Sequence, residues 1–163
     1  MILRILAVGD VVGAPGLTFL TERLRAFQEQ EHIDFTVVNG ENANVVGVTP
    51  KQADASFAAG ADVITMGNHT WGRRELVPYL ERSREVLRPA NLPQQQPGRG
   101  WGVFETPFGD VAVIDLIGRC GMDYTPDNPF QLVERILRLQ KGESVVAIQT
   151  LGYRPNSILD AIK

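Results

Sequence analysis

The chain has 163 residues, of which 44% are hydrophobic and 21% charged, and its formal net charge is -3. This length suits one domain with its own hydrophobic core, so we predict a single domain over residues 1–163. A weakly acidic chain lacks the clustered Lys and Arg excess with which proteins follow a nucleic-acid backbone, which argues against a general nucleic-acid surface.

The single cysteine and the apolar run near the amino terminus indicate where in the cell the protein is expected. Cys120 is the only cysteine, so no disulfide can form within the chain, and we expect a reducing, cytoplasmic environment. We interpret this thiol as structural, because no familiar nucleophile signature surrounds it. The apolar run at residues 2–8 is far shorter than the ~20 residues of a membrane-spanning helix, and no cleavage site follows. The sequence therefore predicts no membrane partner.

Short apolar runs recur along the chain and predict strands. They are rich in Val and Ile and bounded by turn residues, which is typical of strands buried on both faces. The fourth run and residues 101–104 flank a turn that contains Pro and Gly, and together they predict an antiparallel hairpin. The predicted strands are residues 2–8, 35–38, 63–66, 111–117 and 145–148.

Helical periodicity fills the gaps between these runs. Residues 15–27 carry apolar side chains at helical spacing after a Pro-Gly entry. A second helix is predicted with Thr49 as N-cap, Pro50 in the first turn and Gly60 at its end. Residues 133–137 mark another apolar stripe. The β-α-β-α-β alternation up to residue 66 predicts a parallel sheet with right-handed crossovers, hence an α/β fold.

Polar side chains follow the first three predicted strands. Asp10 comes after the first, Glu41 and Asn42 after the second, and Asn68 and His69 after the third. Ligands of open α/β sheets bind at the carboxyl ends of the strands. We therefore predict that these three loops converge on one crevice.

The oxygen donors among these residues suit divalent cations. A carboxylate such as Glu41 can bridge two cations, and the Asn42 and Asn68 carbonyls add neutral ligands, while Asp10 supplies a second charge. Each motif also has a simpler interpretation: Asp10 as a turn or N-cap residue, and residues 39–44 as a polar turn. A dinucleotide loop is excluded at residues 9–13, because the G-x-G-x-x-G spacing is absent.

The two histidines differ in position. His69 directly follows Asn68 beside the predicted metal loops, where it can protonate a leaving alkoxide as a general acid; a buried structural role is the alternative. His32 precedes the second strand and lies at the opposite end of the sheet, so we interpret it as a surface residue.

Four motifs in order give the chain a family resemblance. They are residues 9–16 (GDVVGAPG), 39–43 (NGENA), 60–71 (GADVITMGNHTW) and 87–93 (LRPANLP). Together they resemble the YmdB-type branch of the calcineurin-like metallophosphoesterases. The likeness is collinear over residues 1–140, and residues 141–163 form a divergent tail.

The resemblance implies a metallophosphoesterase-like α/β sandwich that hydrolyses phosphate esters, with cyclic nucleotides among the substrates. It further implies a dinuclear site of iron or manganese in which Asp10 is a terminal ligand, Glu41 the bridge, Asn42 and Asn68 oxygen ligands and His69 the proton donor. Arg88 and Arg119 are candidate phosphate contacts, and surface positions are the alternative for both.

The chain also departs from this family. The family has three further histidines, in Asp-Phe-His-Ala-Glu and Gly-Thr-His-Thr-His segments, whereas no histidine follows His69 here. Where the Asp-Phe-His-Ala-Glu segment would fall, Gln149 and Thr150 offer only neutral side chains. The remaining oxygen donors suit Mg, Ca or Mn better than tightly held iron or zinc. We therefore expect a truncated or diverged member with weak or lost activity.

Two further expectations follow. A truncated sandwich would leave apolar faces at residues 111–117 and 145–148 partly uncovered. Either the short tail at residues 156–162 covers them or a second chain does, and we predict a homo-oligomer. Rival functions are a non-catalytic nucleotide- or metal-binding regulatory domain and a plain α/β interaction module that keeps only the turn chemistry of the motifs.

Overall fold

The computed structural model describes residues 2–119, 125–139 and 144–151, the last segment by its backbone alone. Cys120 lies outside the described residues, so the structure says nothing of its predicted structural role. The strands are β1 (Ile5–Val8), β2 (Phe35–Asn39), β3 (Val63–Thr65), β4 (Val86–Leu87), β5 (Trp101–Thr106), β6 (Gly109–Ile117) and β7 (Ser144–Leu151), and the helices are α1 (Gly13–Glu31), α2 (Pro50–Ala59), α3 (Val77–Arg82) and α4 (Pro129–Leu139).

The first sheet is parallel, as the sequence predicts. Its order is β1-β2-β3-β4, with Ile5 beside Phe35 and Val37 beside Val63. β2 and β3 are buried along their whole length, which explains their continuous apolar runs. Helices α1 and α2 cover one face through Leu20, Leu24 and Ala53, which belong to one buried cluster.

The second sheet packs against the other face of the first. β5 and β6 form the predicted antiparallel hairpin, and β7 runs parallel to β6. Side chains of both sheets share one buried cluster, in which the rings of Phe35 and Phe104 lie 5.9 Å apart. Helix α4 covers the outer face of β6 through Leu132, Val133 and Ile136. The layers are therefore helix, sheet, sheet, helix, which confirms the predicted α/β sandwich.

Some predicted details are wrong. The expectation of an uncovered face at residues 111–117 is wrong, because β6 is buried from Val111 to Ile117 between the parallel sheet and α4. The side chains of 145–148 are not described. The two-residue strand β4 was missed because its apolar run is too short to show a period. No helix in the described ranges is long and apolar enough to cross a bilayer.

Helix α2 holds the loop that carries Glu41. Thr49 and Gln52 form a reciprocal capping box at its start, and Pro50 occupies the first turn. The Gln52 side chain also donates from Nε2 to the Ala43 carbonyl at 3.0 Å. One side chain therefore ends the loop and fixes it to the helix.

Replacing Gln52 by Ala should destabilise the fold. The change leaves the Thr49 N–H and the Ala43 carbonyl without these partners in a partly buried place, at a cost of about 1–2 kcal/mol. Urea unfolding measures the difference. The exposed Gln30→Ala is the control, and equal free energies of unfolding in the two variants would contradict the anchoring role.

Candidate metal and phosphoester site

The predicted crevice exists at the carboxyl edge of the parallel sheet. Loops 9–12, 40–49 and 66–73 follow the adjacent strands β1, β2 and β3, so the register of the sheet brings them side by side. The backbone N–H of Gly13 donates to the Asn42 carbonyl at 2.8 Å, and the N–H of Gly40 donates to the Thr65 carbonyl at 3.0 Å. Parallel pairing therefore continues into contacts between the loops.

Asn42 joins the first loop to the third. Its Nδ2 donates to both carboxylate oxygens of Asp10, at 2.8 and 3.0 Å, and its Oδ1 lies 2.6 Å from Nδ1 of His69. An amide oxygen only accepts hydrogen bonds, so with this orientation of the amide Nδ1 of His69 carries the hydrogen. The other ring nitrogen, Nε2, is then the one available for proton exchange.

Glu41 is a buried carboxylate beside this chain of contacts. Its side chain is 2% exposed, and Oε2 accepts the backbone N–H of His69 at 3.2 Å. Burial raises the pKa of Glu41, the His69 N–H and ring oppose the rise, and the nearby Asp10 carboxylate adds to it. A cation between Glu41 and Asp10 would offset the burial of the Glu41 charge and its repulsion by the exposed Asp10.

Close contact between the second and third loops fixes the crevice. Arg73 Nη2 donates to the Asn44 carbonyl at 3.0 Å, and a Cβ on Gly72 would lie 2.8–2.9 Å from atoms of Val46. Only glycine permits that approach. Val45 has φ +63°, a conformation that costs a β-branched residue roughly 1–3 kcal/mol. Strained backbone next to polar loops is typical of a functional site, and neither Val45 nor Gly72 stands out in the sequence.

A buried polar layer lies below the crevice, between the two sheets. Asp115 of β6 is 1% exposed, and its Oδ2 accepts the backbone N–H of Met66 at 3.0 Å, where the loop to Asn68 and His69 begins. The amide of Asn39 at the end of β2 is fully buried and has no hydrogen-bond partner among the described residues. Asn39 ends β2, whereas Asp115 interrupts the buried apolar run of β6, and neither is predicted from the sequence as a site residue.

The other predicted residues separate into two groups. Asn68 is exposed in the third loop, and within the described ranges its side chain makes no hydrogen bond, so its oxygen is free to bind a cation. Arg88 is 4% exposed and donates to the carbonyls of Pro97, Pro89 and Gln96 at 3.1, 2.9 and 3.4 Å. Its guanidinium thus holds the 93–100 loop through two of these carbonyls, and its predicted phosphate contact stays a prediction.

Arg119 and His32 complete the predicted set. Arg119 is exposed after β6 and adjoins residues that the structure does not describe, so its predicted phosphate contact stays a prediction. His32 is exposed in the left-handed conformation that ends α1, at the amino edge of the sheet. Its placement agrees with the surface position expected for it.

The donors fit a hard cation better than a soft one. Among the described residues, no three His, Cys, Asp or Glu side chains gather closely enough to hold a metal ion by themselves. Asp10 and Glu41 supply two carboxylates, and the amide oxygens of Asn42 and Asn68 would have to complete the set. In this structure the Nδ2 group of Asn42 lies against both oxygens of Asp10, in the place a cation would take.

Comparisons with known proteins agree with this architecture. A family model described as "YmdB-like protein" matches residues 6–150. The chain is 37% identical to a 2',3'-cyclic-nucleotide 2'-phosphodiesterase of Bacillus subtilis (strain 168) over 136 residues, which are 83% of this chain and 51% of that protein. A hypothetical protein of Thermus thermophilus superposes with a TM-score of 0.81 at 31% identity, covering 92% of this chain and 59% of that one.

A further structure supports the fold alone. A phosphatase of Mycoplasma pneumoniae superposes with a TM-score of 0.81 at 24% identity, covering 92% of this chain and 56% of that one. The two-sheet architecture is thus shared with that phosphatase. The chain belongs to the YmdB-like family, which confirms the resemblance of the four sequence motifs. It spans about half the length of the curated relatives it matches.

Asp115 should give the protein a distinctive pH dependence. Burial raises the pKa of Asp115 well above its usual range, nearby Glu41 adds to the rise, and the N–H groups of Met66 and Leu116 oppose it. Between the unfolded value of about 3.9 and the raised folded value, the folded state binds more protons, so stability falls as the pH rises. The free energy of unfolding of Asp115→Asn relative to the parent should therefore increase as the pH rises above about 4.

Chemical unfolding across this pH range measures the effect. Asp110→Asn, at an exposed position of the same strand, is the control and should keep the parent's slope. A profile of Asp115→Asn parallel to that of the parent would show that the Asp115 carboxyl does not take up a proton on folding.

Proposed function

We propose that this chain carries a metal-dependent phosphoesterase centre that hydrolyses phosphodiesters, with cyclic nucleotides among its substrates. The observation that carries the proposal is the connected set of Asp10, Asn42 and His69 beside the buried Glu41. Three loops contribute to it, and it lies where ligands of parallel sheets bind. The Bacillus relative, which is named as a cyclic-nucleotide phosphodiesterase, supports the substrate class.

Asp10, Glu41, Asn42 and Asn68 are the residues that would hold divalent cations. Two per site follow from the family, as Fe or Mn, and the oxygen donors of this chain suit Mn, Mg or Ca. When bound, such cations neutralise phosphate charge and lower the pKa of a coordinated water. Without them the two carboxylates of Asp10 and Glu41 would repel a phosphodiester.

His69 is the proposed general acid. Hydrolysis of a phosphodiester adds water to phosphorus and breaks one P–O bond, and the leaving alkoxide needs a proton. The contact between Nδ1 and Asn42 orients the ring, and the backbone N–H of His69 on Glu41 fixes its loop. Nε2 of the protonated ring then donates to the leaving oxygen, and the ring is reprotonated from solvent.

We further propose that the activity of this chain is weak. Apart from His69, the described crevice has no imidazole, and its carboxylates alone do not form a metal cluster. Neutral amide ligands add little charge, so cation affinity should be lower than in a histidine-rich site. The same observation favours the alternative function, a non-catalytic nucleotide- or metal-binding regulatory domain.

A reconstituted assay tests the proposal. The protein is incubated with Mn²⁺ or Mg²⁺ and assayed with a chromogenic phosphodiester and with 2',3'- and 3',5'-cyclic nucleotides. Asp10→Asn should lose the metal-dependent rate, because it removes one of two anionic ligands, and Asp110→Asn should keep it. His69→Asn should lower the rate by about 10²–10⁴-fold without weakening the metal-dependent rise in melting temperature.

Three outcomes separate the alternatives. A metal-dependent rate that is equal in the parent and in Asp10→Asn would contradict the proposed site. A metal-dependent melting shift without any turnover would favour the regulatory domain. Identical melting curves with and without metal would favour a plain interaction module.

We propose that the protein is cytoplasmic. We also propose that it self-associates through α1. The supporting observation is an open, mainly apolar cavity of about 650 Å³ along α1 that begins at Asp10. The large side chains of Phe19 and Phe27 line it and are 69% and 45% exposed. A second copy of the chain would remove this patch from water.

Phe19→Ser should therefore weaken self-association. Sedimentation velocity over a concentration series is expected to show a dimer of the parent and a monomer of the variant, because the change removes the most exposed aromatic ring of the patch. Phe108→Ser, at the exposed hairpin turn, is the matched control and should leave the dimer intact. A parent that stays monomeric at every concentration would exclude this interface.

A further inference from the structure

A second cavity lies away from the crevice, on the outer side of the β5–β6 hairpin. Its volume is about 450 Å³, and its walls come from the 93–100 loop, the start of β5 and helix α4. None of the crevice residues lines it. The volume falls in the range of small-molecule sites, which is about 300–1,000 Å³.

Two arginines give the described part of this cavity a positive charge. Arg99 and Arg135 line it and are exposed, and within the described ranges neither guanidinium has a hydrogen bond or an ion pair. Glu134 is adjacent to Arg135 in sequence, but its carboxylate pairs with Arg138 at 3.5 Å. The described lining contains no Asp or Glu, although the chain as a whole is acidic. Two arginines without a partner among the described residues, around one concave space, favour an anionic ligand.

The wall that carries Arg99 is fixed before any ligand arrives. The buried Arg88 side chain holds the 93–100 loop through the carbonyls of Gln96 and Pro97, and its backbone N–H donates to the Arg99 carbonyl at 2.8 Å. Gly100 lies so close to Ala90 that a side chain there would overlap the Ala90 backbone. A rigid loop positions its arginine at low entropic cost, which favours binding.

Trp101 adds an aromatic surface to the same cavity. Its indole is half-buried and packs partly on the apolar cluster under α4. A planar ring can stack on such an indole while guanidinium groups bind a phosphate. We infer that this cavity binds a nucleoside monophosphate, with the phosphate on Arg99 and Arg135 and the base against Trp101. The inference does not depend on the proposed phosphoesterase centre.

Fluorescence of the intact chain tests this inference. The protein has two tryptophans, Trp71 near the crevice and Trp101 in the cavity, so Trp71→Phe leaves Trp101 as the only reporter. Adenosine 5'-monophosphate is titrated in the presence of EDTA, which keeps divalent cations from the crevice. The emission of Trp101 should change in a saturable way, and calorimetry on the parent chain should give the same Kd.

The arginine variants locate the phosphate. Arg99→Gln and Arg135→Gln should each raise the Kd by about tenfold, the loss expected for one charge-assisted contact. Arg138→Gln, on the same helix but already paired with Glu134, is the matched control and should change the Kd less than about twofold.

Several results would overturn the inference. One is the absence of any saturable signal by both fluorescence and calorimetry, and another is an equal Kd in Arg135→Gln and Arg138→Gln. Inorganic phosphate that binds as tightly as the nucleotide would exclude the role assigned to Trp101. Circular dichroism of each variant confirms that a lost signal is not a lost fold.

Discussion

The crevice depends on the hydrogen bonds made by the side-chain amide of Asn42. One side chain contacts the carboxylate of the first loop and the imidazole of the third, while its own backbone belongs to the second. Such a contact requires that the three loops start from neighbouring strands in register, which the parallel sheet provides. A cation held between Asp10 and the Asn42 oxygen would replace the donation from Nδ2 to Asp10, so cation binding and the orientation of His69 are coupled through this amide.

Buried polar groups lie below the crevice and connect the second sheet to the loop that carries His69. Asp115 reaches from the second sheet to the N–H of Met66, and Glu41 lies close enough to raise its pKa. Burial of these two acidic side chains is unfavourable for stability, and it places the Glu41 carboxylate where a cation is proposed to bind. The strained Val45 and the glycine contact at Gly72 likewise add local cost beside the site. These unfavourable contributions to stability lie together at one edge of the sandwich, which is typical of a binding site.

Much of this architecture could be predicted from the sequence. Continuous Val- and Ile-rich runs followed by Asp10, Glu41 and His69 specify parallel strands and one polar edge, since periodicity and turn residues act locally. Arg88 could not be placed, because its burial depends on carbonyls of a loop whose path no motif encodes. The role of Asp115 could not be predicted either, since its hydrogen-bond donor, Met66, is 49 residues away in the sequence and follows a strand of the other sheet. The expectation of an uncovered face at β6 was wrong, because the short amphipathic helix α4 packs over that face.

The central claim is that oxygen donors of three loops form one cation site. Crystals of the protein soaked in Mn²⁺ test it directly, because anomalous scattering locates manganese without reference to the chemistry of the site. An anomalous peak is expected within about 2.5 Å of carboxylate oxygens of Asp10 and Glu41, with the oxygen of the Asn42 amide on the metal. A crystal that shows Mn²⁺ elsewhere on the protein, with Asn42 still donating to Asp10, would contradict it.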